Sequence, residues 1–461
     1  MYRSILSVAF FLVPLLLSAQ QKSDMQQILD RLERIEQENK NLADEVRALR
    51  EELAVSRGVA PAASQAAVPA PPAAPITERV DVAEQRIADQ AQSKVEASQK
   101  LPIALTGMLL FNSYLNGRAS GGFQDPTIAQ QGNNSAAGGA TVSQSVVGLK
   151  FQGPQVLGGG QFSGSAYLDA WGGTPSNSLG HLLRLRTATV QIDWKNTTIM
   201  AGQDKPIISP RDPNSLALVF EPPLTSAGNL WLWSPQVRIE QRLHFGSQAG
   251  FTAQAGVYET SEPSYSSRIA VDAAGYTATS TPRPAIEGRF EFWRKFGENA
   301  RIEIAPGFHE SVTHVDGFSA PSKLATVDWL VQPMSKIQFS GMFFSGENSA
   351  GLGGLRQGFS LLGNEYHLRA VPIGANGGWM QLSYLATRRL TFNLYGGEEN
   401  DRLADLLSGD VHNNKMYGVN AIYRLGSNVL LGAEFSQART TYLLLPSRLN
   451  NHYDLSVGYL F

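Results

Sequence analysis

From residue 103 to the C-terminus, apolar and polar positions alternate with a period of two, in short segments separated by Gly, Asn, Ser and Pro. In the last segment Tyr453, Leu455, Val457, Tyr459 and Phe461 share one face, opposite His452, Asp454, Ser456, Gly458 and Leu460, a face polar until its last residue. The same pattern sets Tyr417, Val419, Ala421 and Tyr423 against Gly418, Asn420 and Arg424, and Ile286, Phe290 and Phe292 against Glu287, Arg289 and Glu291. Successive side chains of a strand point to opposite faces, so each segment predicts a strand with one greasy and one wet side. Sixteen such segments lie near 103–116, 142–152, 160–171, 182–194, 197–204, 235–245, 249–259, 285–296, 300–311, 323–333, 336–346, 379–387, 389–397, 414–425, 428–438 and 451–461. Connections after even-numbered segments are mostly short, and those after odd-numbered segments mostly long (117–141, 205–234, 260–284, 398–413). A strand pair around Phe359 to Leu368 would raise the count to eighteen.

Alternation alone also fits a soluble sandwich or barrel. Aromatic residues at the ends of the apolar faces, and charges such as Arg238, Glu240 and Arg242 on a single strand face, shift the prediction toward lipid outside and water inside. In hydrocarbon every backbone polar group must be paired internally, which leaves a closed barrel as the only β solution. The expectation is therefore an all-β transmembrane barrel of about sixteen antiparallel strands over 101–461.

The N-terminal hundred residues obey a different period. An apolar run from Ile5 to Leu17, preceded by Arg3 and followed by Ser18-Ala19, is too short to span a membrane. It predicts a secretory signal peptide over 1–19. Within 20–57, Met25, Leu32, Asn39, Val46 and Leu53 occupy one heptad seam position, and Ile28, Ile35, Leu42 and Leu49 the other. The 3–4 spacing predicts an α-helical coiled coil that needs partner helices and implies a parallel homo-oligomer. One amphipathic helix packed on its own domain is the alternative. Residues 58–76 are an extended Ala/Pro linker, and 77–100 a short polar helix.

Composition narrows the function. Charged residues are 17% of the chain, against about 25% in an ordinary soluble protein. They are concentrated in residues 21–100, where 25 of 80 are charged, against 52 of the 361 that follow. A net charge of −2 without a basic block argues against nucleic acid as a partner. With no Cys, neither a disulfide scaffold nor a thiolate metal site exists. No cofactor or metal motif is present. His309 and His314, in HESVTH, are five apart and fall on opposite strand faces, unlike the H-E-x-x-H of a zinc helix. G-x-S-x-G and P-loop patterns are absent, so no catalytic residue is assigned and no enzyme is expected.

Together, the signal peptide, coiled coil, Ala/Pro linker, sixteen alternating segments and terminal Phe461 resemble the trimeric porins of Gram-negative outer membranes. The DcaP-like porins, which carry an N-terminal periplasmic coiled coil, are the subgroup most similar in layout. The run Tyr453 to Phe461 looks like their signal to the outer-membrane barrel assembly machinery. The resemblance implies a homotrimer in outer-membrane lipid, a coiled coil in the periplasm, and passive diffusion of small hydrophilic solutes, small organic anions among them. It also implies a third long loop folded into the pore, here 205–234; an outer loop covering a subunit boundary is the alternative. Lys150, Arg238, Glu240, Arg242, Arg289, Arg301 and Arg424 are assigned to the pore wall, with Arg289 paired between Glu287 and Glu291. Asp204, Lys205, Arg211, Asp212 and Glu221 are assigned to the loop. The sharper expectation sets Arg238 and Arg242 as a basic patch opposite the acidic members of this loop set. A rival function is an envelope tether, in which the coiled coil contacts the periplasm or peptidoglycan and the barrel only anchors it.

Overall fold

The computed structural model describes residues 103–461 apart from 133–134, 172–181, 260–283, 316–317, 356 and 365–366. The chain divides into two units, Met1–Lys94 and Val95–Phe461. The expected signal peptide, coiled coil, linker and polar helix lie outside the described residues.

The strands are β1 (Ile103–Asn116), β2 (Ala137–Thr141), β3 (Val146–Val156), β4 (Gly160–Asp169), β5 (Arg184–Asp193), β6 (Thr197–Asp204), β7 (Ser234–Phe245), β8 (Ala249–Tyr258), β9 (Ala285–Phe296), β10 (Ala300–Val315), β11 (Phe318–Met334), β12 (Ile337–Glu347), β13 (Phe359–Asn364), β14 (His367–Pro372), β15 (Gly374–Leu385), β16 (Leu390–Asp401), β17 (Val411–Leu425), β18 (Val429–Tyr442) and β19 (Leu445–Leu460). Ladders between sequential neighbours are antiparallel, and β19 returns to β1 from Met108↔Leu460 to Asn116↔His452. That last ladder closes the sheet and removes its edges. β1 pairs with β3 along Ile103–Met108 and with β2 along Asn112–Asn116. β2 and β3 are thus two halves of one stave, and the described residues form a sixteen-stave barrel.

Each of the sixteen alternating segments coincides with a stave. The suspected extra pair exists as β13 and β14, but it forms its own two-stranded hairpin. β12 pairs with β15 along its whole length, from Ile337↔Tyr384 to Glu347↔Gly374. No backbone donors remain there for an inserted pair, so a count of eighteen is corrected to sixteen. The short turns place glycine where the backbone turns left-handed: Gly246 at φ 73°, Gly297 at φ 74° and Gly426 at φ 75°, a region that costs a residue with Cβ.

Burial follows the alternation with the sign of a membrane barrel. Leu455 and Tyr459 are 64% and 50% exposed, whereas His452 and Asp454 are 2% exposed. On β9, Ile286, Phe290 and Phe292 face out while Glu287 and Arg289 are buried. Exposed large apolar side chains recur on every stave except β4, and lipid is the solvent that suits so extended an apolar face. No helix among the described residues is long and apolar enough to cross a membrane.

The barrel also contains an apolar core. Ile208, Leu218, Phe220, Leu224, Ala227 and Leu230, all between β6 and β7, pack on Leu324, Met342, Phe344, Trp379, Tyr395 and Met416 of the wall. Residues of one connection thus meet inward side chains of β11, β12, β15, β16 and β17.

Candidate functional site: the barrel interior and the β6–β7 connection

β6 and β7 remain paired up to Asp204↔Ser234, so the 29 residues between them leave and re-enter the wall at one level. Their backbone is then held by inward polar side chains from many staves. Arg211 pairs with Asp328 on β11 and Glu303 on β10. The Asn214 N–H donates to Gln381 Oε1 on β15 at 2.6 Å, and Asn420 Nδ2 on β17 donates to Asn214 O at 2.8 Å. Ser215 Oγ donates to Glu434 on β18 at 2.6 Å. Asn112 on β1 donates to Leu216 O at 2.8 Å. Gln144 donates to Ala217 O at 2.7 Å and accepts the Val219 N–H at 2.6 Å. On β5, Arg186 donates to Val219 O at 2.8 Å and Arg184 to Phe220 O at 2.6 Å. Ten extended residues reach about 35 Å at most, yet residues 211–220 meet staves from β10 round to β5.

Further along, Ser226 O accepts from Asn414 on β17 at 2.8 Å, and the Trp231 N–H donates to Leu352 O at 2.9 Å. The first long connection also packs at this end of the barrel. Tyr442 Oη donates to Ala129 O at 2.8 Å, and Asn414 donates to Thr127 O at 3.0 Å. Asp125 in that connection is buried near the negative charges of Asp454, Glu221 and Glu434. Burial first, and those charges second, push its carboxyl well above the usual range.

Most of the assigned wall residues fall into pairs. Arg238 lies 2.9 Å from Asp204, which ends β6 rather than lying in the connection, so the contact runs along the wall and not across the pore. Arg242 pairs with Glu240 at 2.7 Å on its own strand. Arg238 and Arg242 are therefore met by carboxylates of their own stretch of wall, not set as a bare patch against an acidic loop. Arg289 pairs with Asp328 at 2.6 Å and Glu291 at 2.7 Å. Its expected second partner Glu287 instead accepts from Ile207 N–H and contacts His309, because Glu287 sits across from His309 in the ladder. Arg301 pairs with Glu303, and Lys205 with Asp212. Glu221 is half-buried in the connection. Lys150 is exposed beside Gln152, Ser163, Ser165, Thr189, Gln191 and Asp193, which line a polar cavity of about 1050 Å³. Arg424 donates to Ser427 O at 3.2 Å and remains exposed.

Four important cations were missed. Arg184 and Arg186 both pair with Asp169, at 2.6 and 3.0 Å, and both lie over the Trp233 ring. Their i, i+2 spacing on a recognised strand was a sufficient signal. Arg388 and Arg389 lie in the β15–β16 turn, where alternation assigns no face. Arg186, Arg388, Arg389 and Arg424 together line a cavity of about 600 Å³ against the underside of the connection, with Asp212 as its one carboxylate. Three inward carboxylates, by contrast, are each consumed by two arginines: Asp328 by Arg211 and Arg289, Asp169 by Arg184 and Arg186, Glu303 by Arg211 and Arg301.

A closed sixteen-stave barrel with a polar interior and a connection tied inside it can be compared with solved structures. The outer membrane channel DcaP of Acinetobacter baumannii superposes with a TM-score of 0.61 over 78% of this chain and 97% of its own, at 16% identity. The barrel has the fold of an outer-membrane porin. The anion-selective porin from Comamonas acidovorans is also similar, with a TM-score of 0.52, 12% identity, and coverage of 78% of this chain and 99% of that one. No family model matches the porin-like chain, and no curated protein matches it in sequence.

Proposed function

We propose that this porin-fold protein is a water-filled channel of the bacterial outer membrane for passive diffusion of small hydrophilic solutes, with small anions, organic ones included, favoured. The β6–β7 connection narrows the pore. The observation that carries this reading is the tethering of residues 211–220 to inward polar groups around most of the barrel, which leaves passage only beside the connection. The arginine-lined cavity beneath it supports the anionic preference. Arg388, Arg389 and Arg424, beside an Arg186 already paired with Asp169, focus a positive potential where a solute must squeeze past. The two similar structures, described as a channel and as an anion-selective porin, agree with this direction.

The N-terminal heptads belong to the same proposal. Residues 25–53 would hold three barrels together from the periplasmic side, after removal of residues 1–19 and assembly through the terminal strand. Reversal potentials in a salt gradient test the selectivity. The wild-type channel is expected to pass anions preferentially, and Arg388→Glu/Arg389→Glu/Arg424→Glu to lose that preference several-fold. A cation-preferring wild-type channel would overturn the assignment.

A further inference from the structure

One cluster at the long-loop end of the barrel is not used by diffusion. Glu287 on β9 and His309 on β10 are direct cross-strand partners. Ser311, two residues beyond His309, is on the same strand face. Glu287 is fully buried, and His309 and Ser311 are each 6% exposed. His309 Nδ1 lies 2.9 Å from Glu287 Oε1, and His309 Nε2 lies 3.1 Å from Ser311 Oγ. The second carboxylate oxygen, Glu287 Oε2, accepts the Ile207 N–H at 2.8 Å, a donor shared with Tyr258 Oη at 2.8 Å. The carboxylate is therefore held from both sides. A carboxylate at Nδ1 fixes the proton on that nitrogen and leaves the Nε2 lone pair facing the serine hydroxyl. Tying Ile207 to the wall needs only Glu287. The imidazole and the hydroxyl continue the hydrogen-bond chain away from that tie, and both border a cavity of about 170 Å³ walled by Leu232, Trp233, Tyr258 and Leu352, with Glu259 among its lining.

We propose that Ser311, His309 and Glu287 form a nucleophilic acyl-transfer site that hydrolyses small neutral carboxylic esters. The cavity has room for roughly six water-sized groups, which limits the acyl part to a short chain. Leu232, Trp233 and Leu352 give that chain an apolar side to lie against, and Glu259 and Glu287 disfavour an anion. In the first half-reaction Ser311 Oγ bonds to the ester carbonyl carbon while its proton passes to His309 Nε2. The ester C–O bond then breaks, and the Nε2 proton leaves with the alcohol. Water next attacks the acyl carbon and gives its proton to Nε2. Collapse breaks the bond to Oγ, returns the proton to Ser311 and releases the carboxylic acid. Glu287, held at Nδ1, orients the imidazole and stabilises the imidazolium in both halves.

The test uses the purified, detergent-folded protein, with folding followed by its heat-dependent gel mobility. It is treated with a fluorophosphonate probe and assayed with p-nitrophenyl acetate. The expected results are a probe mass on the peptide containing Ser311, loss of that adduct in Ser311→Ala and His309→Asn, and a fall in hydrolysis rate of about 10²-fold or more in each. Ser311→Ala removes a single oxygen and is chosen to keep the fold, and Ser311→Cys serves as a second variant that should retain labelling by a thiol-reactive ester. A folded wild-type protein that forms no adduct at Ser311, or whose hydrolysis is unchanged in Ser311→Ala, would overturn the proposal.

Discussion

Single residues carry the distinction between lipid and water here. Leu455 is 64% exposed on β19, next in sequence to the buried Asp454 and Ser456. If its face touches hydrocarbon, Leu455→Arg should destabilise the barrel by about 2–4 kcal/mol in urea unfolding from lipid vesicles, whereas the same change in a soluble barrel's exposed position would be nearly neutral. Asp125 gives a second test. Its carboxyl is raised in the folded state by burial and by neighbouring carboxylates. The folded protein therefore binds more protons than the unfolded chain between the ordinary carboxylate pKa and the raised one, and stability falls as pH climbs through that window. Asp125→Asn should flatten this decline, so melting temperatures of wild type and variant should diverge as pH rises and converge in acid. At this scale the alternation made the facing of residues legible along β19 and the first ten residues of β17, but not at the end of β17, where Arg424 and Leu425 are both exposed. The pairing of Arg289 with Asp328 was not legible, because it depends on the stagger between β9, β10 and β11, which no single segment records.

At the scale of elements, the staves were legible because lipid outside and water inside impose a strict period of two. The hairpin of β13 and β14 shows where that logic stops. It has strand-forming residues, but only the uninterrupted β12–β15 ladder decides that it stays out of the wall. The β6–β7 connection was recognisable by its length and its apolar Leu216, Leu218 and Phe220. Its contacts were not, since they come from inward side chains separated by hundreds of residues. Arg388 and Arg389 escaped notice for a related reason: a turn has no alternating face. These contacts predict that shortening residues 211–220 to a brief Gly-Ser link raises the conductance of each channel and leaves β6 and β7 paired. An unchanged conductance would place the narrowest point elsewhere.

For the whole molecule, the proposed function gives conduction to the barrel and assembly to the heptads. Deleting residues 25–53 should lower the trimer fraction in analytical ultracentrifugation while each folded barrel keeps its conductance. The broader claim is that the wet interior is continuous enough for ions to pass. Purified protein added to a planar bilayer tests this most directly. Discrete current steps, grouped in threes for a trimer, are the predicted result. A correctly folded barrel that inserts yet carries no current across the bilayer would contradict it.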